Sequence, residues 1–240
     1  MIRLVKILEL LDLILQKVRE DNPHKLVLKG GTSLALHHLK GHRESEDLDF
    51  DVDISKKGSE EEIAEYLIDL LRQLESEGAI KGFKITKKGM AATDRYHMNI
   101  KIITYKEVLT KVDLDFVRLP TNLEYEGELG FYSIERMFVG KLLSFSSRRL
   151  FKDLYDIAHL LKNVESISFT EPEKLSDLID KVLIILEKGE LIESYKAACR
   201  NIDLRFKDLK EPQVKPFVEK TIRKLRMFRN ELRKIASKSN

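Results

Sequence analysis

Apolar residues near the start of the chain recur in alternating steps of four and three, at Leu4, Leu8, Leu11, Leu15 and Val18, which sets them on one stripe of an opening helix. Asn22-Pro23 predicts its end. Leu26-Val27-Leu28 then reads as a short buried strand, Gly30-Gly31 as a turn, and residues 33–40 as a helix. Over residues 47–54 the period becomes two: Asp47, Asp49, Asp51 and Asp53 share one face of a strand, and Leu48, Phe50, Val52 and Ile54 the other. Residues 59–77 predict a helix with Ser59 and Glu62 as a capping box and Gly78 as its stop. Strand-like runs follow at residues 83–87, 96–104 and 110–118.

After Pro120 and a glycine-containing loop the pattern is helical throughout. Ile134, Phe138, Leu142 and Phe145 mark one helix; Leu150, Leu154, Ile157 and Leu161 mark the next. Val218, Ile222, Leu225, Phe228, Leu232 and Ile235 line a final helix. The expected organisation is an α/β domain over residues 1–130 and a helical domain over residues 131–240, with no internal repeat.

Composition sharpens this picture in three ways. With 42% apolar and 35% charged residues, the chain is of the soluble globular type. No apolar run approaches the roughly 20 residues needed to span a bilayer. Lys6, Glu9 and Asp12 interrupt the apolar residues where a signal peptide would run, and Cys199 is the single cysteine, so a cytoplasmic location without disulfides is expected. The net charge of +3 is small, but it is unevenly spread: from residue 215 onward Lys215, Lys220, Arg223, Lys224, Arg226, Arg229, Arg233, Lys234 and Lys238 face only Glu219 and Glu231. Such an end suits RNA phosphates, an acidic partner or plain solvation.

The candidate chemistry sits on the acidic strand. Side chains two apart on a strand lie about 6–7 Å apart on one face, so Asp47 and Asp49 address one site. Adjacent ionised carboxylates repel unless a cation lies between them, and oxygen-seeking Mg²⁺ suits such a pair. A third carboxylate normally completes a two-metal site, and Asp113-Leu114-Asp115-Phe116 offers Asp113 or Asp115 on a separate strand. A solvated strand face would more usually carry Thr, Lys or mixed signs. Of Asp51 and Asp53, at least one is expected merely to be exposed. Gly30-Gly31-Thr32-Ser33, placed between a strand and a helix, has the backbone N–H groups and positive helix end that attract phosphate.

Gly30 to Leu36, followed by Arg43-Glu44-Ser45-Glu46-Asp47-Leu48-Asp49-Phe50, then Lys141 and the run from Arg149 through Lys152, Asp153 and Asp156, resembles the AbiEii/AbiGii nucleotidyltransferase toxins, a branch of the polymerase-β-type nucleotidyltransferase superfamily. The resemblance covers roughly residues 25–160. It implies an α+β fold: a polymerase-β-like nucleotidyltransferase domain with a mixed sheet, followed by an all-helical C-terminal domain, with nucleotide in the cleft between them. It further implies Asp47 and Asp49 as metal ligands for two Mg²⁺ ions, with Asp113 or Asp115 as the third carboxylate, and an NTP as substrate. Phosphate would be held by Gly30, Gly31, Thr32 and Ser33 with Arg43 and Ser45 nearby. Lys141 would reach the triphosphate, positioned by Asp153 or Asp156. The implied partners are a tRNA 3′ end as acceptor and a cognate antitoxin. The Gly31-to-Asp47 spacing is longer than usual in the wider superfamily and fits this branch better than polymerases or drug-modifying relatives.

Other residues carry less. His37, His38 and His42 read as ordinary surface or boundary histidines, because adjacent helix positions diverge and no nearby ligand completes a tetrahedron. Tyr96 and His97 either pack or touch a base, and Cys199 reads as a small helix-packing residue. The competing functions are transfer to a small molecule or a protein, and a nucleotide- or antitoxin-binding module without turnover. The joint presence of Gly31, Asp47, Asp49 and Asp113 argues against the last, since loss of one ligand would disarm the site.

Overall fold

The structure is a computed structural model that describes residues 7–90, 95–104, 107–164, 169–188, 191–200, 206 and 209–239. Leu4 and Lys6 lie outside the described residues. The chain forms two compact units, one ending at Ser133 and the other beginning at Ile134.

Among the described residues, the first unit is built on a seven-stranded mixed sheet of order β3-β4-β5-β2-β1-β7-β6. Its strands are β1 Val27–Lys29, β2 Asp47–Asp53, β3 Gly82–Met90, β4 Tyr96–Ile103, β5 Glu107–Val117, β6 Glu124–Glu126 and β7 Leu129–Phe131. The alternation along β2 holds: Leu48, Phe50 and Val52 are fully buried on the back face, joined by Leu28, Met98, Ile100, Val112 and Leu114. Against this face pack α1 (Ile7–Glu20), through Leu11, Leu15 and Val18, and α3 (Glu60–Ser76), through Ile63, Leu67 and Leu71. The opposite, acidic face is thereby left for the site.

Several local expectations are corrected. Leu8 is only half-buried, while Ile7, Leu10 and Ile14 widen the stripe of α1. Ile54 leaves the strand for a 3₁₀ turn, where it is exposed, and Asp53 caps that turn by accepting from Ser55 N at 2.9 Å, so it is engaged rather than merely exposed. Ser59 makes no side-chain cap; Glu60 instead accepts from Gly58 N at 3.0 Å. Gly78 does stop α3, with φ of 73°. The hairpin β6–β7 replaces the expected loop, and β7 runs parallel to β1, so the sheet extends to Phe131.

In the second unit the helices among the described residues are α4 (Ile134–Arg148), α5 (Phe151–Val164), α6 (Pro172–Glu187), α7 (Leu191–Arg200) and α8 (Glu211–Ser239). Phe138, Leu142, Phe145, Leu154, Ile157 and Leu161 are fully buried as their period predicts. Leu150 is exposed because it precedes α5, where its carbonyl accepts from Asp153 N, and Phe151 takes the core position. In α8, Leu225, Phe228 and Leu232 are buried but Ile235 is exposed. Cys199 is exposed as well, not a packing residue.

Candidate active site

Strand register assembles the carboxylates. β5 runs parallel to β2 with Asp113 opposite Asp49 and Asp115 opposite Asp51, while antiparallel β1 brings Lys29 opposite Asp49. Residues directly opposite share a face, so Asp47, Asp49 and Asp113 converge at the front of the sheet. Asp113 is almost wholly buried, receiving Lys111 Nζ at 3.0 Å and Arg95 Nη1 at 3.3 Å.

Asp49 differs from its neighbours. Among the described residues it accepts no hydrogen bond, and its pKa is raised by burial and then by the charges of Asp47 and Asp113, which outweigh attraction to Lys29 and Lys111. A carboxylate driven toward its neutral form by two others has the chemistry of an incomplete cation site. This all-oxygen set of three aspartates fits Mg²⁺.

Asp51 and Asp115 form a second, compensated pair. Lys29 Nζ hydrogen-bonds to both, Tyr132 Oη donates to Asp51 at 2.5 Å, and Arg95 donates to Asp115 at 2.6 and 2.8 Å. Burial pushes Asp115 upward, but the hydrogen bonds and charges of Lys29 and Arg95 outweigh it and hold the carboxyl below its ordinary range. Lys29, Arg95 and Lys111 went unnoticed in the sequence; Lys111, two residues before Asp113 on the same strand face, was the legible one.

The glycine turn is built for close approach. The chain enters α2 (Gly30–Ser33) directly from β1, and the helix continues as a π turn, Leu34–His38, instead of the expected residues 33–40. Gly30 has φ of +76°, and a Cβ there would lie 2.6 Å from Asp49 Oδ2. A Cβ on Gly31 would meet Arg43 Nη2 at 2.5 Å and Ser45 Oγ at 2.9 Å. Thr32 Oγ1 bonds Ser45 Oγ at 2.9 Å and the Asp47 carbonyl, tying the turn to the head of β2. Arg43, Ser45, Thr32 and Ser33 are all buried, and Ser33 Oγ has no hydrogen-bond partner among the described residues. Gly30 and Gly31 themselves remain partly exposed. Tyr96 is buried on the back face with its hydroxyl on Glu61, whereas His97 is opposite Asp113 on the front.

The second unit carries its own ionic cluster. Lys141 Nζ lies 2.8 Å from Asp156 and 3.4 Å from Asp153, both carboxylates having no solvent exposure. Arg148 grips Asp153 with two hydrogen bonds, at 2.8 and 3.0 Å. Arg149 links α4 to α5 with φ of 54°. On α8, Arg226 pairs with Glu187, and Arg229 and Arg233 with Asp180, so part of the basic run is neutralised by α6.

The sequence pattern of the AbiEii nucleotidyl transferase toxin, described as belonging to a type IV toxin–antitoxin system, matches residues 13–232. Two solved structures share the fold. JHP933 from Helicobacter pylori has a TM-score of 0.67 and 20% identity, over 97% of this chain and 94% of that one. A second protein from H. pylori, described provisionally as a nucleotidyltransferase, has a TM-score of 0.64 and 20% identity, over 98% and 96% of the respective chains. No curated protein matches the chain by sequence. No helix among the described residues is long and apolar enough to cross a membrane. Because the family pattern runs over nearly the whole chain, the protein belongs to the AbiEii nucleotidyl transferase toxin family and is a nucleotidyltransferase.

Proposed function

We propose that the protein transfers a nucleoside monophosphate from an Mg²⁺-bound NTP to the 3′ end of a tRNA, as the toxin of a pair with a cognate antitoxin. The observation that carries this reading is the convergence of Asp47, Asp49 and Asp113 on one sheet face, with Asp49 against Gly30 and short of compensating charge. Mg²⁺ held by these three aspartates would supply charge neutralisation at the triphosphate and at the attacking and leaving oxygens.

The remaining roles fall to the chain. Backbone N–H groups of Gly30 and Gly31 hold phosphate, and Ser33 brings a hydroxyl that has no other partner among the described residues. Thr32, Arg43 and Ser45, being buried behind the turn, brace it. Asp113 takes the proton of the acceptor hydroxyl, whose oxygen bonds the α-phosphorus as the bond to the β-phosphate bridging oxygen breaks and pyrophosphate leaves. Asp115, held by Lys29 and Arg95, sets the position of those cations. Lys141, oriented by Asp156 and Asp153, serves the triphosphate. Exposed Lys215, Lys220, Arg223, Lys234 and Lys238 supply phosphate contacts for RNA.

The test incubates the protein with total tRNA, Mg²⁺ and each α-³²P-labelled NTP in turn. Labelled RNA is expected on a denaturing gel, lost with chelator and in Asp47→Ala or Asp49→Ala. Label on protein would move the acceptor class to protein. Full activity in either variant would overturn the site.

A further inference from the structure

The π turn after the glycine turn carries a second cluster that the proposed reaction does not use. Successive residues of an α-helix diverge by about 100°, too far for two adjacent histidines to serve one ion. In the wider π turn, a geometry frequent at functional sites, the rings of His37 and His38 stand only 4.5 Å apart between centroids. The ligand that the local sequence lacked arrives from β6: Glu124 Oε2 lies 3.0 Å from His37 Nε2. One ligand atom each from His37, His38 and Glu124 falls within 4.8 Å of the others.

Both rings are already held from behind. His37 Nδ1 hydrogen-bonds to Glu126 at 2.5 Å, and Glu126 is gripped in turn by Arg19 Nε at 3.1 Å. His38 Nε2 lies 2.9 Å from the Tyr132 carbonyl, which can only accept, so that nitrogen carries the proton and Nδ1 keeps the lone pair. A carboxylate or carbonyl on the far nitrogen of each imidazole is the usual outer support of metal-binding histidines. His37 is also fixed by stacking on Phe131 at 4.1 Å. The hairpin bearing Glu124 is seated firmly, since Gly127 has φ of +58° and a Cβ there would stand 2.2 Å from the Arg19 carbonyl.

We infer that His37, His38 and Glu124 form a transition-metal site, of the Zn²⁺ class, separate from the aspartate site. Two imidazoles and one carboxylate suit a borderline ion and not Mg²⁺. Tetrahedral ligands at about 2.05 Å from zinc stand about 3.3 Å apart, so closure from 4.8 Å needs side-chain movement of an ångström or two. A bound ion would tie the β6 edge to the helix that follows the glycine turn.

The test uses full-length, tag-free protein stripped by chelator and dialysed against Zn²⁺, with Co²⁺ as a spectroscopic substitute. About one zinc per chain is expected, with a Co²⁺ visible spectrum showing nitrogen ligation. His38→Gln and Glu124→Gln should each weaken binding at least tenfold, and Glu126→Gln about 10- to 100-fold through its outer contact. Asp49→Asn should leave zinc binding unchanged. Glu124 is exposed, so its variant keeps the test decisive if His38→Gln fails to fold. Zinc absent from the wild type, or bound equally by Glu124→Gln, would reduce the cluster to a histidine–glutamate ion pair and overturn the inference.

Discussion

Replacing Asp49 by Asn should stabilise the metal-free protein while abolishing its response to Mg²⁺. Asp49 has Asp47 two residues along the strand, about 6.6 Å away at backbone spacing, and Asp113 directly beside it, about 4.8 Å away. At an effective dielectric of about 20, those separations correspond to roughly 2.5 and 3.5 kcal/mol of repulsion. Lys29 and Lys111 offset part of it, yet burial and the two carboxylates keep the net effect on Asp49 upward, so removing its charge should relieve the folded state. Asn should therefore raise Tm in chelator at neutral pH, by about 2–4 °C for each kcal/mol so relieved in a chain of this size.

The pH dependence follows from the sign. The folded carboxyl holds its proton more tightly than the unfolded one, so the cost exists above the folded pKa and disappears below the ordinary value of 3.8. The advantage of Asn should therefore shrink as pH falls toward 4. For the wild type, about 10 mM Mg²⁺ with a Kd of about 1 mM would add about 1.4 kcal/mol, and that gain should weaken in acid as protons compete for Asp49. Thermal unfolding followed by circular dichroism, with and without Mg²⁺ across this pH range, measures both effects. An Asn variant less stable than wild type in chelator, with its Mg²⁺ response intact, would refute the reasoning.

Gly30→Ala combines a left-handed φ with a clash against Asp49 Oδ2, so it should cost about 1–3 kcal/mol in urea titrations and remove activity with it. Lys141→Ala deprives buried Asp156 of the cation at 2.8 Å and should destabilise the second unit by about 3–5 kcal/mol, so its nucleotide affinity must be read by direct binding at low temperature rather than by Tm. Lys220→Ser with Arg223→Ser should lower RNA labelling and flatten its fall between about 50 and 200 mM salt, leaving NTP binding unchanged. By contrast Arg229→Ser, which breaks the 2.7 Å pair with Asp180, should also lower stability, measured in the same melts.

The acid strand and its apolar back were legible because a period of two written over seven residues has few other readings, and the burial of Leu48, Phe50 and Val52 bears it out. The same logic failed for β6 and β7, which are three residues each and too short to display a period. Ser59 failed as a capping residue because its backbone is not extended (φ −102°, ψ 22°) and its own N–H, which Glu62 would have received, donates to the Lys56 carbonyl at 3.0 Å. The dismissal of His37 and His38 assumed α-helical geometry and local ligands. The π turn changed the first premise, and Glu124, 87 residues downstream, the second. Exposed Cys199 shows the limit of composition, since a small residue preceded by two alanines looks the same on either side of a helix.

Which carboxylates can act together is decided by a register that no single strand reveals. The two Asp-Leu-Asp-Phe motifs do not pair motif to motif: they are offset by two residues, so Asp113 stands beside Asp49, Asp115 beside Asp51, and Lys111 beside Asp47. A slip of one residue would turn one acidic row into the apolar core, and the burial of Leu114 against Phe50 forbids it. The flanking cations then divide the acidic face. Lys29 closes β1 and reaches Asp51 and Asp115, where Arg95 and Tyr132 complete the compensation. Toward the glycine turn, Asp113 receives Lys111 and one longer contact from Arg95, while burial and the charges of Asp47 and Asp113 raise the pKa of the Asp49 carboxyl beside it. That carboxyl lies beside Gly30, so the proposed cation and phosphate would take adjoining positions on one arrangement of strands.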